Sequence, residues 1–350
     1  MAHNFWLKNP GSFANINFNM PAPTGVDIYV DTDVSGGLGD GTSWANAYST
    51  LNAAIAARAA NIVNLNVYHD YHCRASSGTG DSTAIASASW ASYVTSSTCK
   101  IRIIGEDAVA GKRSTASYRL IGNSTNNVYT AQNVEFTNIQ FDHVGYSATC
   151  VYCYIPANSL YIFDKCIFAG DDGGTSTAML AIGVDSTAVL VMNNCIATKN
   201  YVFLQNVAGT THVQSCSHYS TYSTANGINV TSGTVYATNF ITYLTGASAN
   251  PFNGTVTAES CASYPADSVG TNYVSLSGYT LAQVYTDAAN HDLHLVSGCP
   301  AIGAGYDLSG ATYPITDDID GDERSSWDIG ADEYTSVASD VLKTQVIVCA

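Results

Sequence analysis

The chain is poor in charge. Only 11% of its 350 residues are Asp, Glu, Lys or Arg, against about a quarter in an ordinary soluble domain. Positive charge is scarcest: 12 basic side chains face 28 acidic ones, for a net charge of −16. So small a basic complement cannot neutralise a run of phosphates, which argues against a nucleic-acid partner. Long apolar runs are missing too. None approaches the roughly 18 residues that span a bilayer, so no membrane span is expected. Residues 1–10 lack a basic stretch followed by an apolar one, so no secretory leader is expected there. What the chain does have excludes disorder: 46% of residues are hydrophobic, with 29 Gly and 23 Tyr, enough apolar surface to form a core. The length allows one large domain or two ordinary ones.

A repeat is present in the middle of the chain. Residues 134–141, 161–168, 190–197, 211–218, 235–242 and 256–263 align on alternating apolar positions, then a polar residue, then a residue of buried type. That sixth position reads Ile139, Cys166, Cys195, Cys216, Phe240 and Cys261, at steps of 27, 29, 21, 24 and 21 residues. Period-2 alternation makes each segment a strand with one buried face. A repeat of this length holds two or three short strands and their turns. Stacked as coils, each strand pairs with its counterpart one turn along, and insertions fall in the turns. The expected fold is all-β, a right-handed parallel β-helix (solenoid); an irregular β-sandwich is the alternative. Four cysteines share the sixth position, where stacking sets them side by side as small buried hydrophobes. Stacked side chains point the same way, which favours reduced thiols over disulfides. Cys150 and Cys153 have the spacing of a metal or redox pair but lack a second pair, and read as structural.

Ahead of the repeats, residues 27–31 form a short strand, followed by a glycine-rich turn at 35–41. Trp44, Tyr48, Leu51 and Ile55 then fall at helical spacing, so one amphipathic helix is expected near 43–60, N-capped by Thr42 or Ser43. Laid across the first coil, it would act as an N-terminal capping helix. The glycine turn lacks a Walker lysine and dinucleotide spacing, and reads as a plain turn rather than a phosphate cradle.

Tyr29-Val-Asp31, the glycine turn, Asp40-Gly-Thr-Ser-Trp-Ala-Asn-Ala-Tyr48 and Leu51-Asn-Ala-Ala-Ile55 resemble the opening of right-handed parallel β-helix proteins of the pectate-lyase-like superfamily. Within it, they resemble the kind found in phage virion proteins and anchored bacterial surface proteins. Cys299-Pro-Ala-Ile-Gly-Ala-Gly305, Asp318-Ile-Asp-Gly-Asp-Glu-Arg324 and Asp328-Ile-Gly-Ala-Asp-Glu-Tyr334 resemble the closing motif of the same proteins, with Cys299 and Gly303 departing from it. The resemblance brackets residues 27–334. It implies the fold and says little of function, because this fold hosts many roles.

Outside the bracket, residues 1–25 mix Phe5, Trp6, Leu7 and Phe13 with five Asn and three Pro. Residues 336–350 end in an apolar β-type stretch with Val346, Ile347 and Val348, an exposed strand that invites pairing with another chain. Both read as assembly arms on a β-helix spanning 26–335; folding back onto their own chain is the alternative.

The resemblance also frames the search for catalysis. Lyases of the family use an Arg or Lys base. Between Ile121 and Gly298 there is no Arg, and the only Lys are Lys165 and Lys199, which argues against a family-type lyase. Glycoside hydrolysis needs facing carboxylates. Asp142, Asp171 and Asp172 are the candidates, with His143 and His218 nearby in the alignment, although acids before Gly173-Gly174 also suit a turn. Asp318, Asp320 and Asp322 alternate like calcium ligands but lack the full loop, so they stand as a weak calcium candidate beside a structural-turn reading. No cofactor is expected.

Three roles fit. The favoured one is a non-enzymatic virion structural protein, a capsid decoration or a fibre or spike protein. It would sit on the virion surface as a symmetric homo-oligomer such as a trimer, docked on the capsid shell or other virion proteins and able to reach a host surface glycan. The alternatives are a tailspike-like polysaccharide hydrolase and a secreted bacterial surface adhesin module, which would be extracellular or on the bacterial cell surface.

Overall fold

The computed structural model describes residues 22–335, apart from 86, 91, 110, 123–126, 130–132, 144–150, 156, 171–179, 185 and 207. Asp171, Asp172, Cys150, most of the first arm and the whole of the second lie outside the described residues. The expected arm at 1–25 gives way to a strand already at Thr24.

The architecture is dominated by long parallel sheets, with few helices. Strands fall into three rows. The first row contains Thr24–Asp31, Val67–Arg74, Ile101–Gly105, Val134–Thr137, Leu160–Asp164 and Val189–Asn193, each parallel to the next. The second begins with Arg119–Gly122, Gln140–His143, Ile167–Ala169 and Ile196–Thr198. Two eleven-residue strands, Thr210–Ser220 and Thr234–Leu244, continue from the first row into the second and fuse both into one sheet of 15 strands. A separate six-stranded sheet, from Asn127–Tyr129 to Asn250–Asn253, is the third row. From residue 134 the chain visits row one, row two and row three in turn, then returns to row one beside its previous strand.

Register follows the alternation in the sequence. Val134, Tyr161, Leu190, Thr211, Val235 and Val256 align across row one, with Phe136, Phe163, Met192, Val213, Ala237 and Ala258 two residues on. Except for the half-buried Val256, these side chains are buried; Phe136 and Phe163 stack at 5.0 Å, as do Phe141 and Phe168. The bend between rows one and two rests on a single left-handed residue per repeat: Asn138, Lys165, Asn194, Ser215, Asn239 and Ser260, with φ of 48–57°. These occupy the fifth, polar position of the repeat, and Asn tolerates this conformation better than most residues.

The helix expected over 43–60 is shorter. Trp44–Asn46 is a single 3₁₀ turn, and the α-helix runs over Leu51–Arg58 with Thr50, not Thr42 or Ser43, accepting a hydrogen bond from the Ala53 N–H. The reason is Tyr48: its backbone exchanges hydrogen bonds with Tyr29 and Asp31, so this stretch extends the sheet and cannot coil. Leu51, Ala54 and Ile55 are buried in the same cluster as Ile28 and Val30.

Residues 276–334 behave differently. Apart from a short hairpin, Tyr285–Asp287 with Asp292–Leu295, and two 3₁₀ turns, they are irregular. Leu276, Val284, Tyr285, Leu293, Leu295, Ile319 and Ile329 pack on the outer face of row two, against Ile167, Ile196, Ile241 and Ala262.

Candidate functional site

The sixth-position residues Ile139, Cys166, Cys195, Cys216, Phe240 and Cys261 are all fully buried. The four thiols are free. Each donates to a carbonyl of the preceding repeat, those of Phe136, Phe163, Met192 and Ala237, at 3.4 Å. Burial pushes the Cys261 thiol up to about 12 and those of Cys195 and Cys216 well above the ordinary thiol range, so they stay protonated and unreactive.

Asp142 is buried and gripped by two cations. Arg113 donates to both its oxygens at 2.9 and 2.6 Å, and Arg119 adds a bond at 3.0 Å. Both its oxygens are thereby engaged by guanidinium donors within the fold. His218 is a core residue: burial lowers it to about 3, and Nδ1 lies 3.1 Å from the Thr242 hydroxyl.

The closing motif is built from carboxylates that serve the backbone. Asp318 Oδ1 accepts from the N–H groups of Asp320 and Asp322 at 2.9 Å, and its Oδ2 from that of Glu333 at 3.0 Å. Asp328 accepts from Gly303 and Tyr334, and Glu333 from Ser325, Ser326 and Asp328. Arg324, its side chain fully buried, donates to Asn194 Oδ1 and to the carbonyls of Gly330 and Ala331. An irregular segment has orphan backbone groups, and these side chains satisfy them. Of the weak calcium candidates Asp318, Asp320 and Asp322, Asp318 accepts from three amides and Asp320 faces His294, an arrangement that suits the structural-turn reading.

Three places on the outside of the molecule gather polar chemistry. The first is around His72, whose Nδ1 faces Glu106 at 2.5 Å and whose Nε2 faces Asp27 at 3.1 Å, with Tyr29 stacked on the ring. Asp70 beside it is held by Arg102, which donates to both its oxygens.

The second is a cleft of about 260 Å³ on the outer face of row one, lined by Lys100, Glu135, Ile162, Asp164, Asn193 and residues 314–317. Glu135 pairs with Lys100, and Lys165 donates to Asp317 at 2.6 Å. Burial raises Asp164 to about 7, with Asp317 and Glu135 adding to the rise and Lys165 opposing it. Farther along the same face, His212 stacks on Tyr236 at 5.1 Å and meets the edge of Tyr313. A buried carboxyl raised in this way in a cleft is a candidate functional group. Sequence reading missed it, because the fourth position of the 161–168 segment gives no hint that residues 314–317 fold over it.

The third surrounds His294. Its Nδ1 lies 2.5 Å from Asp292 and its Nε2 2.9 Å from Asp320. These two hydrogen bonds raise the imidazole to about 10. Asp332 approaches from below, with Oδ2 taken by the Leu295 N–H at 2.7 Å, and burial lifts it to about 7.

Set against protein-family models, curated proteins and solved structures, the chain matches none. No helix among the described residues is long and apolar enough to cross a membrane.

Proposed function

We propose that the chain is a right-handed parallel β-helix whose helix Leu51–Arg58 covers the first coil, and that it is a non-enzymatic structural protein of a phage virion, assembling as a symmetric oligomer. One observation carries the reading: strands pair with their counterparts one repeat along over most of residues 24–275, around a column of inert thiols and stacked rings. This is the construction of a rigid rod, and polar clusters such as Asp142 with its arginines are spent on holding it together. The net negative charge and the apolar sequence at both ends suit docking onto other copies and onto a shell. Mass photometry of the purified chain tests this. A closed oligomer that binds purified capsids or tails is expected; a lasting monomer indifferent to both overturns the proposal.

A second reading has its own observation. The Asp164 cleft, with Glu135 and Asp317 across from it and the His212–Tyr236 stack on the same face, has the ingredients of a glycan-cleaving site, the aromatic rings offering a platform for sugar. Sugar release from a bacterial capsular polysaccharide that is lost in Asp164→Asn would establish the hydrolase instead.

A further inference from the structure

We propose that His294, Asp320 and Asp332 form a binding site for a divalent ion of the zinc class, with Asp292 orienting the imidazole. Each of the three places one ligand atom within 4.8 Å of the other two. One imidazole nitrogen with two carboxylates, leaving a position for water, is a donor set that suits zinc.

One feature of the geometry points to an ion rather than to a chance cluster. Asp292 sits on Nδ1, so Nε2 is aimed at the two remaining carboxylates; this carboxylate–histidine arrangement is the usual way a ligating ring is fixed.

The cluster around His72 is the internal control. It too brings a histidine and two acids together, Asp27 and Asp70. There the third donor is already neutralised by Arg102 on both its oxygens, and a guanidinium would repel an incoming divalent cation. Asp332 has no such clamp: its partners are the Leu295 amide and the His294 ring. The bound ion would pin the hairpin strand Asp292–Leu295 to the turn at Asp320 and to Asp332.

The test uses the full chain, stripped with chelator and titrated with zinc chloride. Native mass spectrometry should count one zinc per chain. The melting temperature should rise saturably, by about 3 °C or more once zinc stands a hundredfold above its dissociation constant. Asp320→Asn changes an exposed side chain and should leave the fold intact while weakening zinc at least tenfold. Asp292→Asn should weaken it by about 10- to 100-fold through the ring's orientation. Calcium at equal concentration should leave the melting temperature unchanged. The proposal is overturned by an absence of saturable zinc binding, by uptake that is the same in Asp320→Asn and His294→Gln as in the parent, or by a response to calcium alone.

Discussion

Among the described residues, the backbone between 134 and 264 is satisfied mainly by its neighbours in adjacent repeats; between 276 and 334 side chains take a large share beside local backbone bonds. The first region needs only alternation and one left-handed residue per turn, so it tolerates Cys, Phe or Ile at its sixth position. The second has almost no ladder to lean on and relies on individual carboxylates and one arginine, each serving two to four partners. A repeated solution is therefore robust to the identity of any one residue, and a bespoke one is not.

Four substitutions would sharpen or break that contrast. Phe163→Ala removes a ring stacked between neighbours in the main core and should cost about 3–5 kcal/mol in urea unfolding. Arg324→Ala leaves Asn194, two carbonyls and Glu333 without their buried partner and should cost about 3 kcal/mol. In hydrogen exchange the amides of 318–334 should lose protection while those of Val189–Asn193 keep theirs; equal loss in both would erase the distinction. Asp318→Ala orphans three amides for about 1–3 kcal/mol, whereas Cys195→Ala, in the forgiving region, should cost only about 1 kcal/mol.

A further effect has a size that depends on pH. Asp164 is raised to about 7 in the folded chain, above its ordinary value near 3.9. Its protonated form thus favours folding below about pH 4, and that contribution is lost as pH rises through 7. Asp164→Asn should accordingly raise the melting temperature at pH 8 and leave it nearly unchanged at pH 4. A variant less stable than the parent at pH 8 would show that the cleft does not strain this carboxyl.

Much of the first region was legible in the sequence because its physics is local. Alternation reports which face is buried, and the shared sixth position reports the stacking of Cys166, Cys195, Cys216 and Cys261. The fifth position was visible only as polar, since nothing in Lys165 or Ser215 announces a positive φ. The second region was legible as motif and not as structure. Asp318, Asp328 and Glu333 look like ligands on the page, and only their distance from the amides of Asp322, Gly303 and Ser325 shows what they hold. Helix 43–60 failed at Tyr48, where spacing fits a helix but a strand edge offers the backbone better partners. The Asp164 cleft joins residues more than a hundred positions apart, the His294 cluster residues from three separate stretches, and neither leaves a periodic trace.

The flank segment has a mechanical consequence. Asp317 holds Lys165 and Asn194, Ala331 is tied to Ser217, and Tyr306 and Gly330 are tied to Asn239, so one stretch of chain is fastened to four successive turns. Without it, traction along the axis would peel the turns apart singly, each yielding at the strength of its own ladder. Stitched together like pages by a spine, those four must part at once or the stitching must tear first.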